Sequence, residues 1–148
     1  MAGMSDIAEN SILDLIFTAV SWANIAEDEV ASPTTIIAWA LHTTAGPGES
    51  GNQTVNEAAY GNYTRKEKGR VVGGTGHTVT NESVSPTSNV DFIVGGTGAG
   101  ESVTDFSVGK TSGTGTTDQW FSGLVSPNIT TGEGVTPRLT TASFIELA

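Results

Sequence analysis

The sequence predicts a mainly β fold, an antiparallel β-sandwich or jelly roll preceded by one N-terminal α-helix. Three observations carry that expectation. Residues Val90, Phe92, Val94 and again Thr104, Phe106, Val108 recur with period two, as in strands with one buried face. Short strand signals are separated by glycine-rich loops, Gly73-Gly74-Thr75-Gly76, Gly95-Gly96-Thr97-Gly98 and Ser112-Gly113-Thr114-Gly115, the spacing of a sandwich or jelly roll. Only 36% of the 148 residues are hydrophobic while 19 are glycine, which suits short strands and long polar loops within one domain spanning 1–148.

Residues 6–23 read as the helix. Asp6 can cap it, with Glu9 three residues on. Ile12, Leu15, Ile16, Ala19 and Val20 recur at helical spacing, and Leu13, Phe17 and Trp22 widen the apolar surface. A helix apolar on most sides must be covered on most sides, so it is either wrapped by its own domain or used against a neighbouring subunit, for which Leu13, Phe17 and Trp22 are the candidates. Glu27-Asp28-Glu29 and Ser32-Pro33 terminate it.

The β region spans 34–148. Thr34–Thr43 reads as a strand with Ile37, Trp39 and Leu41 facing the core and Ile36, Ala38, Ala40 and His42 on the other face. A polar, glycine-rich loop over 44–59 follows, too long for a tight hairpin. Tyr60 and Tyr63 mark the next strand, which runs into a basic cluster. HTVTNESV, NVDFIV, VTDFSV, QWFSGLV and ASFIEL supply the remaining strand signals, for seven or eight strands in all; Trp39 and Trp120 are placed in the core.

Sixteen acidic and six basic residues give a formal charge of −10, which repels nucleic acid and anionic membranes. Arg65, Lys66, Lys68 and Arg70 are clustered, and no base precedes Arg65. The cluster is either a solvated turn or a docking patch for an acidic neighbour. The chain has no cysteine, which excludes disulfides and thiolate metal sites. MAGMSDIAEN lacks a basic n-region, no secretory signal is read there, and no apolar run approaches the roughly 20 residues of a membrane helix.

Candidate chemistry is sparse. Gly95-x-x-x-x-Gly100-Glu101-Ser102 nearly matches a phosphate-cradling loop, but Glu101 stands where lysine is needed and a strand pattern follows instead of a helix. Its glycines are expected to serve backbone freedom at φ > 0. His42 and His77, the two histidines, have no ligand spacing to carboxylates such as Glu82 or Asp91. No G-x-S-x-G elbow is present, and no acidic residue is placed on an apolar strand beside a tryptophan as a buried general acid would be. No catalytic, cofactor or metal residue is nominated, and the chain is not read as an enzyme.

The blocks ILDLIFTAVSWANIA (12–26), SPTTIIAWALHT (32–43) and GPGESGNQTVNEAAYGNYTR (46–65), with DFSVG (105–109) and WFSGLVSPNITTGEGVTPRLTTASF (120–144), resemble a group of small virion proteins of tailed bacteriophages. Together they cover most of the chain. Members of the group are often labelled tail-fibre-like, while similar proteins act as capsid decoration (cement) proteins. The resemblance implies a structural protein on the outer capsid surface, a homotrimer over capsomer junctions whose partners are the major capsid protein and itself. The alternative it leaves open is a tail component, fibre-associated or a tip adaptor. Arg65, Lys66, Lys68 and Arg70, with Leu13, Phe17 and Trp22, are the expected protein contacts.

Overall fold

A computed structural model describes residues 6–21, 34–48, 52–71, 75–110 and 119–147. The fold is mainly β, with antiparallel sheets and one short N-terminal helix. Helix α1 (Asp6–Leu13) runs into a π-helical turn (Asp14–Thr18). Among the described residues the strands are β1 (Ile36–Thr43), β2 (Lys66–Gly69), β3 (His77–Thr80), β4 (Ser83–Pro86), β5 (Val90–Asp91), β6 (Ser102–Gly109), β7 (Gln119–Thr130), β8 (Arg138–Leu139) and β9 (Ile145–Glu146). Where length suggested one domain, the contacts gather into two compact units. The first comprises Met1–Ile36, Lys68–Asn89 and Thr140–Ala148; the second comprises Ile37–Glu67 and Val90–Leu139.

In the first unit the helix ends earlier than the apolar spacing predicts. Ala19 adopts the left-handed region at φ 57°, and the Arg70 guanidinium takes the open carbonyls of Leu15 and Ile16 at 2.6 Å each. A cation on the last carbonyls suits the negative end of the helix dipole. Residues 22–33, including Trp22 and the expected terminators, lie outside the described residues. Leu13 and Phe17 are fully buried, and the Phe17 ring meets His77 edge-on at 5.1 Å. The HTVTNESV signal is a hairpin, β3 to β4, and β9 pairs with β4. Asn81 and Glu82 turn it with φ of 47° and 60°, the paired left-handed conformation of a type I′ turn. The Glu82 amide donates to the Asn10 side-chain oxygen at 2.8 Å, tying the turn to α1.

The second unit is organised around a sheet in the order β2-β1-β6-β7. Trp39 pairs with Val108 and Leu41 with Phe106, and the Trp39 and Phe106 rings stack at 5.6 Å. The opposite face of β1 is also buried: Ala38, Ala40 and His42 are all at 0% exposure. The described parts of the following loop, 44–48 and 52–59, account for this. The loop folds back over that face, where a Cβ on Gly46 would come within 2.8 Å of the Asp105 carboxylate of β6. Its return is fixed by backbone bonds from Thr43 to Asn56 and from Ala58 to Leu41, both 2.8 Å.

Other strand expectations need adjustment. The tyrosines precede their strand, because Tyr60 spends its hydroxyl on the Ile93 carbonyl at 3.1 Å and ladder pairing starts only at Lys66. NVDFIV forms just β5, paired with β8. Trp120 is 38% exposed, not core; it lies on the more open face of β7, the last strand of its sheet among the described residues. Residues 125–128, which include a cis Ser126–Pro127 bond, bulge out where the register jumps from Val103↔Ile129 to Asp105↔Leu124.

The loop starts with Thr44, Ala45 and Gly46 at φ of 46°, 59° and 50°. Two of these carry a Cβ, which disfavours that region by roughly 1–2 kcal/mol each. Ala45 is exposed and contributes no polar contact through its methyl group. Ala45→Gly is therefore expected to raise stability by about 0.5–1 kcal/mol, after the greater chain entropy of glycine is set against the relieved strain. Urea denaturation of the two proteins measures it.

Candidate functional site

The side chains with reactive chemistry converge in the second unit, on the face of β1 and β6 that the loop covers. His42 Nδ1 lies 2.9 Å from the Val55 carbonyl and Nε2 lies 2.7 Å from Ser107 Oγ. A carbonyl can only accept, so Nδ1 carries the hydrogen and Nε2 accepts from the Ser107 hydroxyl. Gln53 donates to the Ala38 carbonyl at 3.1 Å and to Ser107 Oγ at 3.4 Å. Its own oxygen accepts from Arg65 Nη1 at 3.4 Å.

Arg65 then grips Glu57 with both arms, Nε to Oε1 at 2.8 Å and Nη2 to Oε2 at 2.9 Å. Tyr63 donates its hydroxyl to Glu57 Oε1 at 3.1 Å and accepts the Leu41 amide at 3.0 Å. The chain of bonds therefore runs from the loop carbonyl of Val55 to the backbone of β1. Burial pushes the Tyr63 hydroxyl pKa upward, and the Glu57 charge adds to it. The His42 pKa is lowered, since burial outweighs the Val55 carbonyl and the Glu57 and Asp105 charges.

A serine hydroxyl on a histidine is the core of a nucleophilic pair. Here His42 and Ser107 are both at 0% exposure, and the third member is a carbonyl instead of a carboxylate. The geometry uses the pair to fasten a loop. Asp105, opposite His42 in the β1–β6 register, is 8% exposed and accepts from Thr104 Oγ1 at 2.6 Å. Period-two reading put Asp105 outward on β6, because the covering loop is distant in sequence. Among the described residues no three His, Asp or Glu side chains converge as a metal site.

The near-phosphate loop is explained by its own carboxylate. Glu101 Oε2 accepts the Ala59 and Tyr60 amides at 2.8 and 3.0 Å, so adjacent backbone N–H groups that would hold an anion hold this one. Gly98 takes the positive φ expected of this loop, 141°, while two of its neighbours are needed for close approach: a Cβ on Gly95 would lie 2.1 Å from the Gly132 carbonyl oxygen, and one on Gly100 2.2 Å from that of Thr131. Nearby, burial followed by the Glu101 charge pushes the Tyr60 hydroxyl up to about 12.

The basic cluster is not a docking patch as a whole. Arg65 is 8% exposed and committed to Glu57. Lys68 Nζ donates to the Ser88 carbonyl and hydroxyl and to the Asn89 carbonyl at 3.0, 2.8 and 2.9 Å. Arg70 binds Leu15, Ile16 and the Thr34 carbonyl. Lys66 alone of the four is exposed; it borders an open cleft of about 650 Å³ whose walls carry both signs, Arg65 and Lys66 with Glu67 and Asp91. The Asp91 carboxylate is engaged by Arg138. Leu13 and Phe17, expected at a subunit contact, are core residues at 0% exposure. Drawing either out to meet a partner would forfeit roughly 1.5–3 kcal/mol of burial.

The exposed apolar side chains that stand together on one element are instead on β7. Trp120 is 38% exposed and Leu124 80%, and the strand's exposure alternates so that 120, 122 and 124 share the open face. The period of QWFSGLV marked this strand in the sequence, but not its place at the end of the sheet. No protein-family model matches the chain, and no curated protein is significantly similar to it.

Arg65→Ser is expected to destabilise the protein by about 3 kcal/mol, the low end for breaking a buried pair because the Glu57 side chain keeps 19% of its exposure. Lys66→Ser should change stability by less than about 0.5 kcal/mol; chemical denaturation compares the two. A pH series gives a separate readout. His77 is held by burial to a pKa of about 4, below the ordinary 6.5, so the unfolded chain binds its proton first on acidification. Its stabilising contribution is whole above about pH 6.5 and declines towards pH 4, by on the order of 3 kcal/mol. His77→Phe should flatten that slope in thermal melts.

Proposed function

We propose that the protein is a bacteriophage structural protein, a capsid decoration protein that binds the outer surface of the head and stabilises capsomer junctions. The observation that carries the proposal beyond the sequence resemblance is the division of labour in the structure. Ionisable and nucleophilic groups are spent on holding loops, whereas a strand at the end of a sheet offers Trp120 and Leu124 to solvent. A clamp needs contact surface and rigidity, not a cleft with reactive groups in it. The charge of −10 suits a position outside the shell, away from packaged DNA. Partners on this reading are the major capsid protein and further copies of the chain, with no catalysis and no cofactor.

Quantitative mass spectrometry of separated phage heads and tails tests it. The expected result is a near-stoichiometric ratio of this protein to major capsid protein in heads. A few copies confined to tails would overturn the decoration role and favour a fibre-associated or tip component.

A further inference from the structure

We propose that His42 is a proton-operated latch: its imidazole holds residues 52–55 over β1 and β6 only while it is neutral, and protonation releases them. Each hydrogen in this buried cluster has one place to go. Val55 and Ala38 present carbonyls, so His42 Nδ1 and one Gln53 N–H donate to them. The Gln53 oxygen lies against the Arg65 guanidinium, which only donates. Both ends of the amide are thereby fixed, and Gln53 Nε2 also faces Ser107 Oγ as a donor. Among the described residues, one acceptor is left for the Ser107 hydrogen, the bare Nε2 of His42 at 2.7 Å.

A proton on Nε2 takes that place. Ser107 Oγ then receives donors from both His42 and Gln53, and its own hydrogen is displaced. His42, Gln53 and Ser107 are all at 0% exposure, so the closed cluster loses a buried hydrogen bond that only opening restores. The charges near the ring do not reverse this. Glu57 from the loop and Asp105 from β6 favour the imidazolium, but Glu57 is committed to Arg65 and Asp105 accepts from Thr104. The Arg65 cation opposes it, and Tyr63 spends its hydroxyl on Glu57. Burial is the largest influence, and the His42 pKa lies below its ordinary 6.5. Lifted into water the imidazole regains that ordinary value, so the open state binds the proton more tightly and gains population as pH falls.

The segment is placed to move. Thr54, Val55 and Asn56 lie at the surface, and lifting Gln53 and Val55 brings water to Ser107. Beyond Val55 the chain stays anchored, by the Thr43–Asn56 and Ala58–Leu41 backbone bonds and by Arg65 on Glu57. The opening is therefore local, and it bares Ala38 and Ser107. This inference does not rest on the proposed function.

Solution NMR of the full chain across a pH series tests it. Ring-nitrogen spectra should show neutral His42 with its hydrogen on Nδ1 and a titration midpoint below 6.5. Below about pH 6.5 the exchange protection of the Gln53 side-chain amide, corrected for intrinsic rate, should fall about tenfold per pH unit, the linkage of one proton. The Thr43 and Ala58 amides should keep their protection over the same range. His42→Gln, whose amide oxygen can take the Ser107 hydrogen but does not titrate, should abolish the slope; His77→Phe, in the first unit, should leave it. If His42→Gln fails to fold, the wild-type series decides. A neutral His42 with its hydrogen on Nε2 would overturn the proposal, as would a ring that stays neutral until the whole chain unfolds. So would Gln53 protection indifferent to pH, loss at Thr43 and Ala58 in step with Gln53, or a slope that survives in folded His42→Gln.

Discussion

The two-armed bond between Arg65 and Glu57 is the interaction on which the second unit depends. Each charge would be costly to bury alone, and neither is left alone: the carboxylate also accepts Tyr63, and the guanidinium also reaches Gln53. A lysine could place a charge there but not a planar fork that satisfies two carboxylate oxygens and an amide together. From Gln53 the chain of bonds continues through Ser107 and His42 to the loop carbonyl of Val55. The covered face of β1 and β6 follows from that chain. Without it the loop would have little apolar surface to hold it down, and Ala38, Ala40 and His42 would lie open to water.

The same economy recurs wherever reactive chemistry is present. The Ser107–His42 pair is closed to substrate, Glu101 fills the backbone site made by the Ala59 and Tyr60 amides, and Arg70 and Lys68 complete a helix end and a loop. Each of these groups has its partner within the fold, the condition under which buried polar networks fix one conformation instead of weakening it. Contact with other molecules is then left to residues outside these networks, of which Trp120 and Leu124 on β7 are the largest apolar examples on one strand face.

The sequence made the strands legible because period two survives even a partly covered sheet: β6, β7 and β1 fall where Val103–Val108, QWFSGLV and TTIIAWALHT place them. It misjudged which faces are buried. His42 and Asp105 have polar side chains at positions that alternation assigns to solvent, and only the return of a loop from residues 53–57 encloses them. The helix was readable to Thr18 but not its end, since the group that receives its last carbonyls, Arg70, is more than fifty residues away. Clustered bases look alike in one dimension whether they face water or carbonyls. Arg65, Lys68 and Arg70 turned inward because each has an acceptor brought near by a different part of the chain. The Glu101 contact was equally hidden, although its misfit to the phosphate motif was visible at once.

The division of the chain into interleaved segments bears on how the molecule comes into being. The first unit draws on residues near both ends, and β9 at 145–146 joins β4 at 83–84. The second closes only when β7 and β8 have been made and can pair with β6 and β5. During synthesis, then, the second unit can close only once β8 is made and the first only after β9, and the growing chain holds β1 before β6 is there to pair with it. Pairings this distant in sequence make for slow closure. A ribosome carrying this chain must therefore shelter β4 and β5 unpaired on one side until β9 and β8, about fifty to sixty residues later, emerge to join them.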